Sequence, residues 1–359
     1  MNANRTKPVA KKTLNLAHQL QQQEQVLADM SERLHLYQSE FAYLRPIAHW
    51  LHKIARLIWL ATPKLGKLAH YPPRLLEYPD AYSLPADFDA PKISIVTPSF
   101  NQAKYIGLTL DSVLGQAYPN LQYFVQDGGS NDGTEQILQQ YSEQLTGWIS
   151  APDQGQAQAI NLGLQRTDGE IMAWLNSDDL LLPGALARVA EYFARHPEID
   201  VVYGHRILID EEDKEIGRWI LPRHNDRILC WADFVPQESL FWRRRIWDAI
   251  GGKLDESFRF AMDWDLLLRF KDAGARMARL PYFLGAFRIH AAQKTTTLIA
   301  EIGKQEMMRL RQRSLAREVS KNEIRRALLP YLIIHLALDF IWRLQRYRKF
   351  NHSAKQRCK

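Results

Sequence analysis

The sequence predicts an α/β fold: a doubly wound, mostly parallel sheet with helices on both faces, extended by helical segments at its N- and C-terminal ends. Two observations carry this. Between Ile93 and Tyr203, short apolar runs alternate with helix-length stretches, the rhythm of parallel strands buried on both faces and joined by crossover helices. Polar, turn-forming segments directly follow three of those runs, as expected where strands deliver ligand-binding loops to one edge of an open sheet.

Taken in order, residues 1–45 read as helical. Leu20, Leu27, Leu34 and Phe41 recur every seven residues, with Gln23, Met30, Tyr37 and Leu44 between them. This heptad pattern fits a short coiled coil for self-association or, equally, one amphipathic helix lying on the main domain. Residues 46–90 combine an amphipathic helix with a linker. Ile47, Trp50, Leu51, Ile54, Leu57 and Ile58 share one helical face opposite His49, His52, Lys53 and Arg56, the composition of an interfacial helix. Pro63, Pro72, Pro73, Pro79 and Pro85 then break up the chain. Residues 91–297 form the sheet domain, with strands expected at 93–97, 121–126, 171–175 and 201–203. A hairpin around 211–214, a strand near Leu240 and a helix at about 263–273 complete a mixed second half. Residues 298–359 form a helical, basic tail. Its apolar stretch 327–344 is interrupted by Pro330, His335 and Asp339, so a monotopic helix is expected ahead of a buried helix, with a membrane span third.

The chain has 359 residues, enough for a sizeable core with appended segments, and a net charge of +7. The excess is concentrated near the two ends, and after Asp339 the tail carries Lys and Arg with no acid. Such ends suit anionic lipid headgroups, and nucleic acid is not expected as a partner. Cys230 and Cys358 are far apart and lack metal-ligand spacing, which argues against a disulfide framework or a cysteine zinc site. The first twenty residues contain no apolar run of secretory-signal length. A cytoplasmic protein, peripheral on the cytoplasmic face of a membrane, is therefore expected.

Asp178 and Asp179 directly follow an apolar strand. Two adjacent carboxylates repel unless hydrogen bonds, solvent or a cation relieve them, and a hard divalent ion shared with phosphate oxygens fits. The bland alternative is that Asp179 caps the next helix while Asp178 faces water. Asp127, followed by two glycines, suits a tight turn close to a ligand, its carboxylate accepting from a base or ribose. No Gly-x-Gly-x-x-Gly opens a helix and no phosphate-loop motif is present.

As an ordered set these segments resemble family-2 glycosyltransferases of the GT-A fold. The resemblance runs from about Lys92 to Thr297. It rests on Val96-Thr97-Pro98-Ser99-Phe100-Asn101, Asp127-Gly128-Gly129-Ser130-Asn131-Asp132-Gly133-Thr134, and Pro152-Asp153-Gln154-Gly155-Gln156 with Ala159-Ile160-Asn161-Leu162-Gly163. It continues through Trp174-Leu175-Asn176-Ser177-Asp178-Asp179, Pro236-Gln237-Glu238-Ser239, Ala261-Met262-Asp263-Trp264-Asp265-Leu266 and Arg288-Ile289-His290. It implies an enzyme that binds a nucleotide sugar through Thr97, Pro98, Asp127, Asp153, Asp178 and His290. Asp127 matches the acid that contacts the base. Asp178 and Asp179 match the acids that hold the ribose and a Mg²⁺- or Mn²⁺-bound diphosphate. Asp263 matches the catalytic base and His290 a residue closing over the diphosphate.

Asn176 stands where the metal motif often has Asp, and Met262 where the base motif often has Glu. The second departure removes a carboxylate whose repulsion would raise the pKa of Asp263. Structural alternatives are an N-cap role for Asp263, a satisfied structural histidine at 290 and a core role for Trp264, which otherwise joins residues 237–239 as a sugar contact. The reaction implied is a single inverting displacement onto the hydroxyl of a glycan, lipid-linked or protein acceptor. The rival readings are a nucleotidyltransferase and a non-catalytic coiled-coil and membrane-surface scaffold that binds a sugar nucleotide.

Overall fold

The computed structural model describes residues 64–78, 81–291, 293 and 302–357, with side chains described up to 345. The chain divides into two units, Met1–Thr62 and Pro63–Lys359. The heptad segment and the amphipathic helix at 47–58 lie outside the described residues.

The second unit is built on a nine-stranded sheet of β1 (Ile93–Ser99), β2 (Leu121–Asp127), β3 (Gly147–Ser150), β4 (Ile171–Trp174), β5 (Leu180–Leu181), β6 (Val201–Ile209), β7 (Glu215–Trp219), β8 (Phe241–Arg243) and β9 (Met277–Arg288). Their order is β3-β2-β1-β4-β8-β6-β9-β5, with β7 paired to β6. β3, β2, β1 and β4 are mutually parallel, whereas β8 runs antiparallel to both of its neighbours. The predicted hairpin is the turn between β6 and β7.

Alternate strand residues feed two cores. In β1 and β4, Val96, Met172 and Trp174 face one way, while Ile93, Ile95, Ile171 and Ala173 face the other. On the first face lies α3 (Gln156–Leu164), through Ala157, Ile160 and Leu164. On the second lie α1 (Ile106–Leu114), through Ile106, Leu110 and Val113, and α4 (Ala185–Arg195). Gly163 explains how closely α3 approaches β1: a Cβ there would lie 2.4 Å from Val96 Cγ1. The fold is therefore the α/β arrangement expected, with helices on both faces. The remaining helices are α2 (Thr134–Gln140), α5 (Asp226–Leu229), α6 (Arg244–Ala249), α7 (Met262–Asp272), α8 (Lys304–Leu315) and α9 (Lys321–Arg357).

Two segments behave differently from their sequence reading. The stretch from Lys64 to Tyr78, read as linker, is docked on β7: His70 N–H donates to Ile216 O at 2.8 Å, and Glu215 N–H donates to Arg74 O at 2.7 Å. His70 and Lys64 are both buried. The apolar tail forms one helix that continues through Pro330. The polar residues that seemed to interrupt it form its docking face. His335 Nδ1 donates to Ile220 O at 2.7 Å and Nε2 accepts from Lys64 N–H at 3.1 Å, while buried Asp339 pairs with Arg343 at 2.6 Å. Lys321–Gln345 is long and apolar enough to cross a membrane. A span would strip these polar contacts without replacing them.

Candidate active site

Parallel strands that diverge to either side of a sheet leave a crevice beyond their carboxyl ends, and here that point lies between β1 and β4. A cavity of about 760 Å³ opens there. Of the residues singled out in the sequence, it brings together Pro98 from β1, Asp153 from the loop after β3, Asp178 from the turn after β4, Asp263 from the first turn of α7, and His290 beyond β9. Gly128 also lines it. A Cβ at this position would meet Asp153 Oδ2 at 2.9 Å, so the backbone forms part of the wall.

Asp178 and His290 meet through the pairing of β5 with β9, which sets Leu180 opposite Ala286 and carries the two flanking segments together. His290 Nε2 lies 2.9 Å from Asp178 Oδ2, and the imidazole packs against Tyr105 at 5.0 Å between ring centres. Arg288 locks the arrangement from beneath. It is fully buried, its Nε donates to Asp178 O at 2.8 Å, and its guanidinium pairs with Asp213 in the β6–β7 turn at 2.6 Å.

Three residues expected at the ligand, Thr97, Asp127 and Asp179, do not line the cavity. Thr97 is buried, its hydroxyl hydrogen-bonded to Tyr123 Oη at 2.9 Å, because alternation turns its side chain away from Pro98's surface. Asp127 is also buried. Its carboxylate accepts from Gly129 N, Ser130 N and Ser150 Oγ at Oδ2 and from Ser130 Oγ at Oδ1, at 2.6–3.2 Å, which makes it the organiser of its own loop. Asp179 is 1% exposed and turned inward, accepting from Arg288 N–H at 3.0 Å and Asn176 Nδ2 at 3.3 Å. Burial, then the charge of Asp178, pushes its carboxyl well above the usual range. The adjacent acids thus part: Asp178 pairs with His290 at the cavity, and Asp179 anchors the turn.

Asn176 fits this division. Its amide donates to Asp179 and to Gln237 Oε1 at 3.1 Å, which an aspartate could not do. Residues 237–239 form a buried 3-10 turn, and Gln237 Nε2 donates to Trp174 O at 2.9 Å. Trp264 is buried, its indole N–H donating to Leu229 O at 2.8 Å, and it lines the cavity together with Gln237.

Asp263 is the second residue of α7, after Ala261 at the N-cap position, so it does not cap the helix. Its carboxylate accepts from Trp264 N–H at 2.9 Å, and burial lifts it to about 6. Asp265, two residues on, is fully buried between Arg269 at 2.9 Å and Arg313 at 2.5 Å. Glu238 is held in a two-pronged pair by Arg206 at 2.8 and 2.6 Å. Neither acid is available to act as a base.

Sequence reading missed three contributors. Arg206 lies within a strand, and Asp233 lies in a loop that follows no strand. Glu306 on α8 accepts the backbone N–H groups of Arg259, Phe260 and Ala261 at 2.8–2.9 Å, fixing the loop that leads into α7. No local motif marks them, because each works through residues distant in the chain.

A sequence profile described as glycosyl transferase family 2 matches residues 94–254. A PGL/p-HBAD biosynthesis glycosyltransferase of Mycobacterium bovis is 30% identical over 184 residues, covering 50% of this chain and 70% of the relative. The chain belongs to glycosyltransferase family 2. An uncharacterized glycosyltransferase of Nostoc sp. is 26% identical over 228 residues, 60% of this glycosyltransferase and 70% of that one. Among solved structures, S. aureus TarS 1-349 in complex with UDP-GlcNAc shares the fold with a TM-score of 0.52 at 18% identity, over 67% of this chain and 71% of that one. The mannosyltransferase PcManGT from Pyrobaculum calidifontis, in complex with GDP-Man and Mn²⁺, gives 0.51 at 18% identity over 73% of each chain. The GT-A fold of this glycosyltransferase follows from both.

Proposed function

We propose that this glycosyltransferase moves a sugar from a nucleoside diphosphate donor to the hydroxyl of a glycan, lipid-linked or protein acceptor, inverting the anomeric carbon. The observation that carries this reading is one cavity holding both a carboxylate tuned upward by burial and the Asp178–His290 pair at the edge of the sheet. Above about pH 6 Asp263 is ionised and accepts the acceptor's hydroxyl proton. The acceptor oxygen bonds to the anomeric carbon, the carbon–phosphate-oxygen bond breaks, and the nucleoside diphosphate leaves. The complexes of TarS with UDP-GlcNAc and of PcManGT with GDP-Man support a donor of this class.

The donor atoms fit a divalent cation shared with phosphate. Among the described residues no three His, Cys, Asp or Glu side chains converge, while Asp178 Oδ2 and His290 Nε2 stand side by side at the cavity. These two would hold Mg²⁺ or Mn²⁺, with diphosphate oxygens and water as the other ligands, and Asp179 would not. Bound there, the cation neutralises charge that develops on the departing diphosphate. Titration calorimetry with UDP and GDP, with and without Mn²⁺, tests the reading. Asp178→Ala should lose the Mn²⁺-dependent part of the affinity, and unchanged binding would remove Asp178 from the site.

For location, we propose the cytoplasmic face of an anionic membrane. Support comes from α9, whose Leu329, Ile333, Ile334, Phe340, Ile341 and Leu344 are exposed on the side opposite His335 and Asp339, next to the basic tail.

A further inference from the structure

Part of the cavity wall is apolar and comes from segments outside the sugar-nucleotide motifs. It is lined there by Leu68 from the docked segment, Trp219 from β7, Phe287 from β9, Phe260 from the loop before α7 and Met307 from α8. Leu68 and Trp219 are only partly buried, and both pack on the cluster of Leu208, Ile216 and Phe287. The indole of Trp219 is fixed from two sides. Its N–H donates to Lys67 O at 3.0 Å, and its ring lies 4.7 Å from the guanidinium of Arg206, its cross-strand neighbour, which also lies over Phe287 at 4.3 Å. The polar groups beside this surface are already engaged. Arg206 pairs with Glu238 through two hydrogen bonds, while Gln237 donates to Trp174 O and accepts from Asn176. A saccharide laid here would leave hydroxyls without partners, whereas a hydrocarbon chain leaves nothing unpaired and gains burial. The wall also reaches the outside next to α9. Gly66 lines the cavity and is exposed, and two residues before it Lys64 N–H donates to His335 of α9. Ile220, directly after Trp219, binds the other nitrogen of the same imidazole. The opposite face of α9 carries exposed Ile333, Ile334 and Ile341.

Resting on the glycosyl-transfer reading of the same cavity, we propose that the acceptor is an amphiphile whose hydroxyl-bearing head reaches Asp263 while its apolar tail lies along Leu68, Trp219 and Phe287 and leaves past Gly66. Of the three acceptor classes this selects the lipid-linked one. The tail emerges beside the helix whose outer face is apolar, so head and anchor need not part for transfer. The docked segment is then a wall of the substrate site, and Leu68 and Trp219 set specificity without touching the reacting atoms.

Fluorine NMR of the full chain carrying fluorotryptophan reads tail binding without donor or turnover, the Trp219 resonance being assigned with Trp219→Phe. Octyl β-D-glucoside, kept below its micelle concentration, should shift that resonance with a half-saturation at least about tenfold lower than methyl β-D-glucoside, since burying about two methylenes is enough for such a gain. Leu68→Asp should raise the octyl glucoside half-saturation by about tenfold or more, and Met307→Glu makes the same test if that variant does not fold. Ile333→Glu with Ile341→Glu should leave the response unchanged, which separates this wall from detergent uptake on α9. Equal half-saturation for the two glucosides, no shift at Trp219, indifference to the Leu68 change, or a response lost with the α9 pair overturns the amphiphilic acceptor. None of these readings involves the nucleotide. Their failure leaves the glycosyl-transfer reading to calorimetry with UDP, GDP and Mn²⁺, and failed calorimetry leaves the tail site measurable.

Discussion

At the scale of single residues, the candidate site depends on which carboxylates are still free after the fold has used the others. Asp127, Asp179, Asp265 and Glu238 all sit within motifs, yet each is consumed by backbone amides, hydroxyls or an arginine. Asp178 and Asp263 remain open to the cavity. Because burial raises Asp263 from the ordinary 3.8 to about 6, the stability it contributes is complete below about pH 3.8 and lost as pH rises towards 6. Asp263→Asn removes that burden. The variant should therefore be at least as stable as the parent above pH 6, while single-turnover transfer falls by about 10²-fold or more, the usual contribution of a general base. A variant that melts early, or one that keeps full turnover, would remove Asp263 from that role.

Among the elements, the two C-terminal helices have separate duties. α8 supports the site through Glu306, whose carboxylate gathers three amides of the loop ahead of α7. Hydrogen bonds to a charged acceptor are each worth about 1.5–3 kcal/mol and are not additive. Glu306→Ala should cost about 2 kcal/mol or more in denaturant unfolding, and lower turnover beyond what the lost stability explains. Full activity in the folded variant would detach α8 from the site. α9 docks one face and leaves the opposite one apolar. Ile333→Glu with Ile341→Glu should abolish cosedimentation with vesicles containing anionic lipid and leave the melting temperature unchanged, since both residues are exposed. Retained binding would exclude that face. The apolar, helical character of residues 327–344 was readable in sequence. Which side was covered was not, because His335 and Asp339 look like interruptions until Ile220 and Lys64 are placed against the helix.

Across the whole molecule, three buried histidines tie segments distant in the chain together. His70 joins the docked segment to β7, His205 Nδ1 accepts from Leu221 N–H at 3.1 Å, and His335 bridges α9 to the sheet domain. Burial, the leading cause in each, lowers their pKa, to about 4 for His70 and about 3 for His205. Their neutral forms are the folded ones. The stability they contribute is present above the ordinary 6.5 and is lost as pH falls towards 4. Melting temperature should fall through that window, and His70→Gln should flatten the fall. An unchanged slope would assign acid sensitivity to other groups.

The sequence by itself determined the alternation of strands and helices, the parallel half of the sheet, the hairpin, the helix carrying Asp263 and the family. These are properties of local periodicity and of ordered short motifs, which a linear chain displays openly. It also marked seven of the residues that line the cavity: Pro98, Asp153, Asp178, Gln237, Asp263, Trp264 and His290. Only the tertiary structure decided that Asp179 turns inward while Asp178 meets His290, since that depends on β5 pairing with β9 more than a hundred residues along the chain. It alone set Glu306 under the loop before α7 and folded the proline-rich stretch onto β7. A carboxylate's chemistry is set by the donors, cations and solvent around it, and those neighbours arrive from elsewhere in the chain only when the sheet has closed its order.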